Sequence, residues 1–319
     1  MVARRDVDVT DLINRARHAD PRAVARLISF VESNSPLLRE VAAGLAVLPA
    51  RAHVVGLTGS PGVGKSTLTN ALVSALRARG DRVGVLAVDP SSPYSGGALL
   101  GDRIRMGEHS EDEGVFIRSM ATRGQLGGLA AAVPQALRVL DAAGCDVILV
   151  ETVGVGQAEI EIASLADTTM LVLAPGLGDG IQAAKAGVVE IADVYVVNKA
   201  DRGGAEQVTR DLRQVQSLSA QRDAGWKAAI LKTSAASAEG IDELVAVLAG
   251  HREWLAASGE LDVRRRRRAA SEIEAIALAS VRERFASVAG PAALEAAASS
   301  VVSGQTDPFQ AAEALIKAL

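Results

Sequence analysis

The chain has 319 residues, 34 of them basic and 38 acidic, for a formal net charge of −4, which supplies no general electrostatic drive towards nucleic acid or anionic lipid. A single cysteine, Cys145, excludes a disulfide framework or a cysteine-rich metal site and points to a reducing compartment. No apolar run reaches the roughly 18 residues a membrane span needs, and MVARRDVDVTDL at the start has no apolar stretch to act as a secretory signal. The expectation is a soluble cytoplasmic protein. Scarce aromatics favour helices packed on an aliphatic sheet.

Residues 6–48 have helical periodicity. Leu12, Ile13 and Ala16 share one face, Val24, Leu27, Ile28 and Val31 another, and Leu37, Leu38, Val41 and Leu45 follow the start signal Ser35-Pro36. From residue 53 the pattern changes to short β-rich runs: HVVGLT, RVGVLAVD (82–89), VFIRSM (115–120), CDVILVET (145–152), TTMLVLA (168–174), VYVVNK (194–199) and AAILKTS (228–234). Most are continuously apolar, as strands covered on both faces are. Helical patterns at 66–79, 125–143, 181–191, 204–222 and 239–256 separate most of them, which predicts an α/β fold with a doubly wound, mainly parallel sheet. From about 258 the chain is helical again, with a stripe of Ile273, Ile276, Ala277, Ser280, Val281 and Phe285 and two short helices at 292–303 and 308–319. The expected division is a helical layer at 1–50, a nucleotide domain at 51–257 and a helical extension at 258–319.

GSPGVGKS (59–66) follows an apolar strand and opens a helix, the context in which Gly-x-x-x-x-Gly-Lys-Ser has a mechanism. Gly59, Gly62 and Gly64 let the backbone turn and present N–H groups to phosphate oxygens, and the helix start adds its positive dipole end. The predicted cradle comprises Gly59, Pro61, Gly62, Val63, Gly64, Lys65, Ser66 and Thr67. Lys65 can reach the β- and γ-phosphates, and the Ser66 hydroxyl can ligate Mg²⁺. Ser60 occupies the place of the additional lysine found in some partitioning ATPases, which weakens an ATPase reading.

Asn198-Lys199-Ala200-Asp201 closes the sixth predicted strand. The Asp201 carboxylate can accept from both N1–H and the exocyclic amine of guanine, whereas adenine would leave it unpaired. Sites built on such pairing discriminate by roughly 10⁴ to 10⁵. The Lys199 stem can lie along the purine, Asn198 can tie the loop to the cradle, and Ser234 and Ala235 occupy the loop that would meet the guanine carbonyl. The predicted nucleotide is GTP or GDP.

DVILVETVG reads as a buried strand ending in an acid, with Glu151 where small GTPases carry Asp and with Gly154 able to offer its N–H to the γ-phosphate. One methylene longer than Asp, Glu151 can hold Mg²⁺ directly or through water. No glutamine follows Gly154 immediately, and Gln157 is the nearest water-positioning candidate, so unassisted turnover should be slow.

Several longer segments carry a family resemblance: VGLTGSPGVGKSTL, VDPSSPYSGGALLGDRIRM (88–106), MATRGQLGGLA (120–130), VETVGVGQAE (150–159), APGLGDGIQAAKAG (174–187) and VNKAD. On these the chain closely resembles the methylmalonyl-CoA mutase-associated GTPases of the MeaB/ArgK type, over nearly its whole length. The resemblance implies that Asp89, Asp102 and Glu151 are the acids around Mg²⁺ and the γ-phosphate. It further implies switch segments at 91–106 and 152–159. A coupling segment from Pro175 to Lys185 has Asp179 and Lys185 as its charged candidates. It also implies a homodimer whose partner is an adenosylcobalamin-dependent methylmalonyl-CoA mutase, with cofactor loading gated and inactivation limited by the GTPase.

Rival readings are a nickel-delivery GTPase, which needs Cys/His metal sites this chain lacks, and a kinase of a transport protein, for which no phosphoacceptor is evident. A signal-recognition GTPase would need a methionine-rich module, and the chain has four Met. Arg264 to Arg268 form a run of five arginines, read as an exposed helix start or a dimer contact. His18, His53, His109 and His251 show no ligand spacing, and Cys145 reads as packing.

Overall fold

The computed structural model describes residues 7–90, 109, 111–122, 128–152, 158–176, 191–219 and 225–317. Three helices come first: α1 (Val9–Arg17), α2 (Pro21–Glu32) and α3 (Leu38–Ala46). Asp8 caps α1 through the Asp11 N–H at 2.9 Å, and Asp20 caps α2, whose first position is Pro21. The same Asp20 accepts from Arg15 at 2.6 Å, fixing the turn between the two helices. Leu12, Ile13, Ala16, Val24, Leu27, Ile28, Val41 and Leu45 are all buried, as their spacing predicted.

All seven predicted strands form: β1 (His53–Thr58), β2 (Val83–Pro90), β3 (Val115–Thr122), β4 (Val147–Thr152), β5 (Thr168–Leu173), β6 (Val194–Val197) and β7 (Ala229–Lys232). Every pairing is parallel, in the order β3-β2-β4-β1-β5-β6-β7. Between the strands run α4 (Lys65–Ala78), α5 (Gly128–Ala142), α6 (Ala158–Leu165) and α7 (Ala205–Ser219), and α8 (Ile241–Ser258) follows β7. Neighbouring residues along a strand face opposite layers. Val54, Ile148 and Val150 pack with α5, α6 and the N-terminal helices, while Val55, Val147 and Leu149 pack with α4 and α8. That two-sided burial is why these strands read as unbroken apolar runs.

Helix α6 departs from the sequence expectation. Its residues, AEIEIASL, alternate acidic and apolar side chains with a strand-like period of two, so helical periodicity gives no signal there. Glycine makes its docking possible: a Cβ on Gly56 of β1 would lie 2.7 Å from Ile162 Cγ1. The expected helix at 181–191 falls almost wholly outside the described residues.

Contacts divide the chain into two compact units, Met1–Ala269 and Ala270–Leu319. Helix α9 (Glu260–Val302) starts in the first unit and leaves helical geometry at Gly290 (φ 52°, ψ 168°), just before Pro291; α10 (Pro308–Lys317) follows. In the second unit Ile273, Ile276, Leu278, Val281, Leu294, Phe309 and Ile316 are all exposed, and α10 buries none of its residues.

The arginine run corrects its sequence reading. Arg266 and Arg267 are exposed, but Arg264, Arg265 and Arg268 share one helix face and turn inward within the first unit. Arg264 grips Asp193 with two parallel bonds of 2.7 and 2.8 Å. Arg265 donates to the carbonyls of Ala50 and Ala52, and Arg268 to that of Leu165 at 2.5 Å. Asp167 lies 3.6 Å from Arg265 and 3.4 Å from Arg268. Ala52, Asp167 and Asp193 immediately precede β1, β5 and β6, so three arginines fasten the amino ends of the strands.

Two of the scattered histidines meet there. The Thr168 hydroxyl bridges His53 Nε2 and His251 Nδ1, at 2.7 Å from each. Trp226 and Trp254, the only tryptophans in the chain, pack with ring centroids 4.7 and 5.7 Å from that of His251. Burial lowers both imidazoles from the usual 6.5 to about 4, against the opposing pull of Asp167 on His53 and of Asp193 on His251. Cys145 is buried among apolar neighbours, which pushes its thiol up to about 12.

Candidate nucleotide site

At the carboxyl end of the sheet, β1 runs into the glycine-rich turn and α4 leaves it. Gly59 has φ +140°, and a Cβ there would lie 2.1 Å from the Val172 carbonyl oxygen of β5, so only glycine can begin this turn. Val63 is buried in the core beneath the turn and anchors it. Gly64 caps α4 in the left-handed conformation and has no side chain with which to take up the first N–H groups of the helix. The α4 N-terminus therefore offers a positive dipole end and backbone donors suited to phosphate oxygens. Lys65 is buried, and its ammonium donates to the carbonyls of Gly59 at 2.5 Å and Ser60 at 3.2 Å. Pro61, Gly62 and Thr67 line the exposed side of the turn.

The loop Asn198–Asp201 is bonded to this turn. Asn198 is buried; its Nδ2 donates to the Val63 carbonyl at 3.0 Å. A Cβ on Gly64 would sit 2.6 Å from that nitrogen, so the glycine serves contact with the loop as well as the turn. On its other side Asn198 Oδ1 accepts from the Ala235 N–H at 3.1 Å and the Thr233 hydroxyl at 3.2 Å. Lys199 donates to the Gly62 carbonyl at 2.6 Å, laying its stem across the space between the loops. Asp201 is exposed, with Oδ1 held by the Ser234 hydroxyl at 2.9 Å. Asn198, Lys199, Asp201, Ser234 and Ala235, separated by up to 37 positions, are thus brought together with the cradle.

Glu151 is buried at the end of β4, in register with Leu57 of β1 and Ala87 of β2. Its Oε1 accepts from the Ser66 hydroxyl at 2.6 Å and its Oε2 from the Thr69 hydroxyl at 3.0 Å. Thr69 has no place in the sequence reading, yet it stands three residues after Ser66 on α4, and that spacing puts both hydroxyls on one face. A hydroxyl and a carboxylate this close form part of an oxygen set that suits a hard divalent cation.

Asp102, Gly154, Gln157, Asp179 and Lys185 lie outside the described residues, as does the side chain of Asp89. The backbone of Asp89 is in β2, opposite Ala121. A separate cavity of about 430 Å³, lined by His18, Arg82, Phe116 and Cys145 among others, opens at the amino ends of β2, β3 and β4. It shares no residue with the cradle.

An all-parallel sheet in this strand order, with a glycine-rich turn joining its first strand to a helix, defines the class: this is a P-loop GTPase. The family described as methylmalonyl Co-A mutase-associated GTPase MeaB matches residues 24–289. The chain belongs to that family. It is 47% identical to a putative GTPase of Pyrococcus abyssi, over 97% of this chain and 96% of that one. A mouse protein, the mitochondrial methylmalonic aciduria type A homolog, is 40% identical over 66% of this chain and 52% of its own length. Among solved structures, the crystal structure of a LAO/AO transport system kinase superposes with a TM-score of 0.68 at 26% identity, covering 97% of this chain and 96% of that one.

Proposed function

We propose that this GTPase is a chaperone of an adenosylcobalamin-dependent methylmalonyl-CoA mutase, gating the loading of the mutase's cofactor and limiting its inactivation. The family match over residues 24–289 carries this reading, and the mouse relative, named for methylmalonic aciduria, supports it. In this reading Lys65 neutralises phosphate charge, and Asn198, Lys199, Asp201, Ser234 and Ala235 select guanine. Ser66 and Glu151, with Asp89 and Asp102, would hold Mg²⁺; the bound ion would neutralise charge developing on the γ-phosphate. Gly154 would meet the γ-phosphate, and Asp179 and Lys185 would relay nucleotide state to the mutase.

The helical extension from about 258 would pair two copies. The exposed apolar side chains of Ala270–Leu319 support that reading, since Phe309 is 82% and Ile273 68% exposed. Light scattering of the intact chain, against a variant with charges at Ile273 and Phe309, tests the pairing.

Co-purification tests the main reading. Tagged protein is loaded with GDP or with a non-hydrolysable GTP analogue and mixed with purified mutase. The mutase should be retained in a nucleotide-dependent amount. Equal failure with both nucleotides would sink the partner assignment while leaving the GTPase assignment intact.

A further inference from the structure

We propose that Thr69 is a positioning residue that fits the longer acid, Glu151, to the cation site. The inference rests on the reading that Ser66 and Glu151 hold Mg²⁺. An aspartate at the end of β4 has a short, stiff side chain whose carboxylate position follows from the backbone. Glutamate adds one rotatable bond, and that freedom must be lost before the carboxylate can serve as a fixed ligand or as a fixed acceptor for a bound water. The fold removes it with two hydroxyls on one face of α4, each taking one oxygen: Ser66 on Oε1 at 2.6 Å and Thr69 on Oε2 at 3.0 Å.

Thr69 is fully buried, so its hydroxyl has no access to bulk water. Its one proton has two acceptors within reach, Glu151 Oε2 at 3.0 Å and the Lys65 carbonyl at 3.1 Å. The carboxylate is the shorter contact and carries the charge, so it is the stronger acceptor. A hydroxyl bonded only to the carbonyl four residues earlier would be an ordinary helix feature with no bearing on the cation. The consequence is a coupled pair: Thr69 matters to cation binding only while residue 151 is long enough to span both hydroxyls.

The test uses the intact protein and the fluorescent nucleotide N-methylanthraniloyl-GDP, titrated with Mg²⁺ from a chelated start. For the parent, nucleotide dissociation should slow as Mg²⁺ rises. Thr69→Val should raise the Mg²⁺ concentration for half-effect about tenfold, with nucleotide affinity in chelator unchanged. Thr69→Ser, which keeps the hydroxyl, should restore the parent value. In a Glu151→Asp background the shorter acid cannot reach both hydroxyls, and Thr69→Val should then change the half-effect concentration less than about threefold. A Thr69→Val protein with the parent's Mg²⁺ response overturns the proposal, as does a Thr69→Ser protein as impaired as Thr69→Val. Equal effects of Thr69→Val in the two backgrounds also overturn it, because they would mark a packing role. Absence of any Mg²⁺ response in the parent would overturn the underlying cation reading, a result separable from the others.

Discussion

Acids with hydroxyl or cationic partners stand at both ends of the strands, and they are held differently. At the amino ends, Arg264 of α9 grips Asp193, Arg265 and Arg268 face Asp167 at 3.6 and 3.4 Å, and Thr168 bridges His53 and His251. Those polar groups bond to one another and to backbone groups at the strand starts. At the carboxyl ends, Glu151 accepts from the hydroxyls of Ser66 and Thr69, and Asp201 is exposed with the Ser234 hydroxyl on one oxygen. Lysines there rest on backbone carbonyls of the glycine-rich turn. A carboxylate closed off by guanidinium adds to a scaffold, whereas one steadied by hydroxyls keeps its charge for a ligand. The difference predicts that changes at the carboxyl ends act on nucleotide and changes at the amino ends act on stability.

The largest effect should follow Asp201→Asn. An amide donor at this position matches the C2 carbonyl of xanthine and clashes with the donors of guanine. The ratio of guanosine to xanthosine nucleotide affinity should fall by up to roughly 10⁴. Competition titrations with both nucleotides measure it, and an unchanged ratio would remove Asp201 from base selection.

Lys65→Ala should lower GTP hydrolysis by roughly 10² to 10³, the usual loss when one donor to a developing oxyanion is removed. Its helix is set by Leu68, Leu72, Val73 and Leu76 in the core, so far-UV circular dichroism should be unchanged. Phosphate release equal to the parent's would place the charge neutralisation elsewhere.

At the opposite end, Arg264→Ala should leave turnover alone and destabilise the fold by about 3 kcal/mol, because buried Asp193 would lose its guanidinium partner. Arg266→Ala, two residues on and exposed, should fall within about 0.5 kcal/mol of the parent. Both tryptophans lie beside His251, so urea unfolding followed by their fluorescence reports on this region directly. Equal stability of the two variants would show that the inward and outward arginines are equivalent after all.

Legibility in the sequence followed the physical scale of each signal. Two-sided burial writes itself into every strand as a continuous apolar run, so all seven were legible. The glycine-rich turn and the Asn198–Asp201 loop beside it were legible because each depends on a fixed order of residue types, glycine where the backbone turns tightly and Asn198 where the loops bond. Thr69 was not, although Ser66 and its three-residue spacing held the clue. A threonine inside a helix has too many ordinary uses to stand out. The inward turn of Arg264, Arg265 and Arg268 was hidden for another reason. Their partners are 71 to 215 positions away in sequence, and only the folded sheet brings those strand ends under α9.

The most gradual expected effect is a pH dependence set by the basal histidines. Burial lowers His53 and His251 to about 4, whereas in the unfolded chain they titrate near 6.5. Between those values the unfolded state binds more protons, so stability rises with pH across that window. The contribution is complete above about pH 6.5 and is lost as pH falls towards 4. Each histidine sets a slope of at most roughly 1.4 kcal/mol per pH unit. The surroundings moderate this. Asp167, Arg252 and Arg265 act on His53, and Asp193, Arg264 and Asp167 act on His251, whose Nε2 lies 3.6 Å from Asp193 Oδ1. With both imidazoles lowered to about 4, the two should contribute about equally. Urea midpoints at pH 7, 6 and 5, followed by tryptophan fluorescence, measure the combined slope. His53→Gln keeps a group able to bond Thr168 but cannot titrate, and it should remove about half of the slope. A parent whose stability is flat from pH 7 to pH 5, or a His53→Gln protein with the full slope, would show that the buried imidazoles are not what ties this end of the sheet to pH.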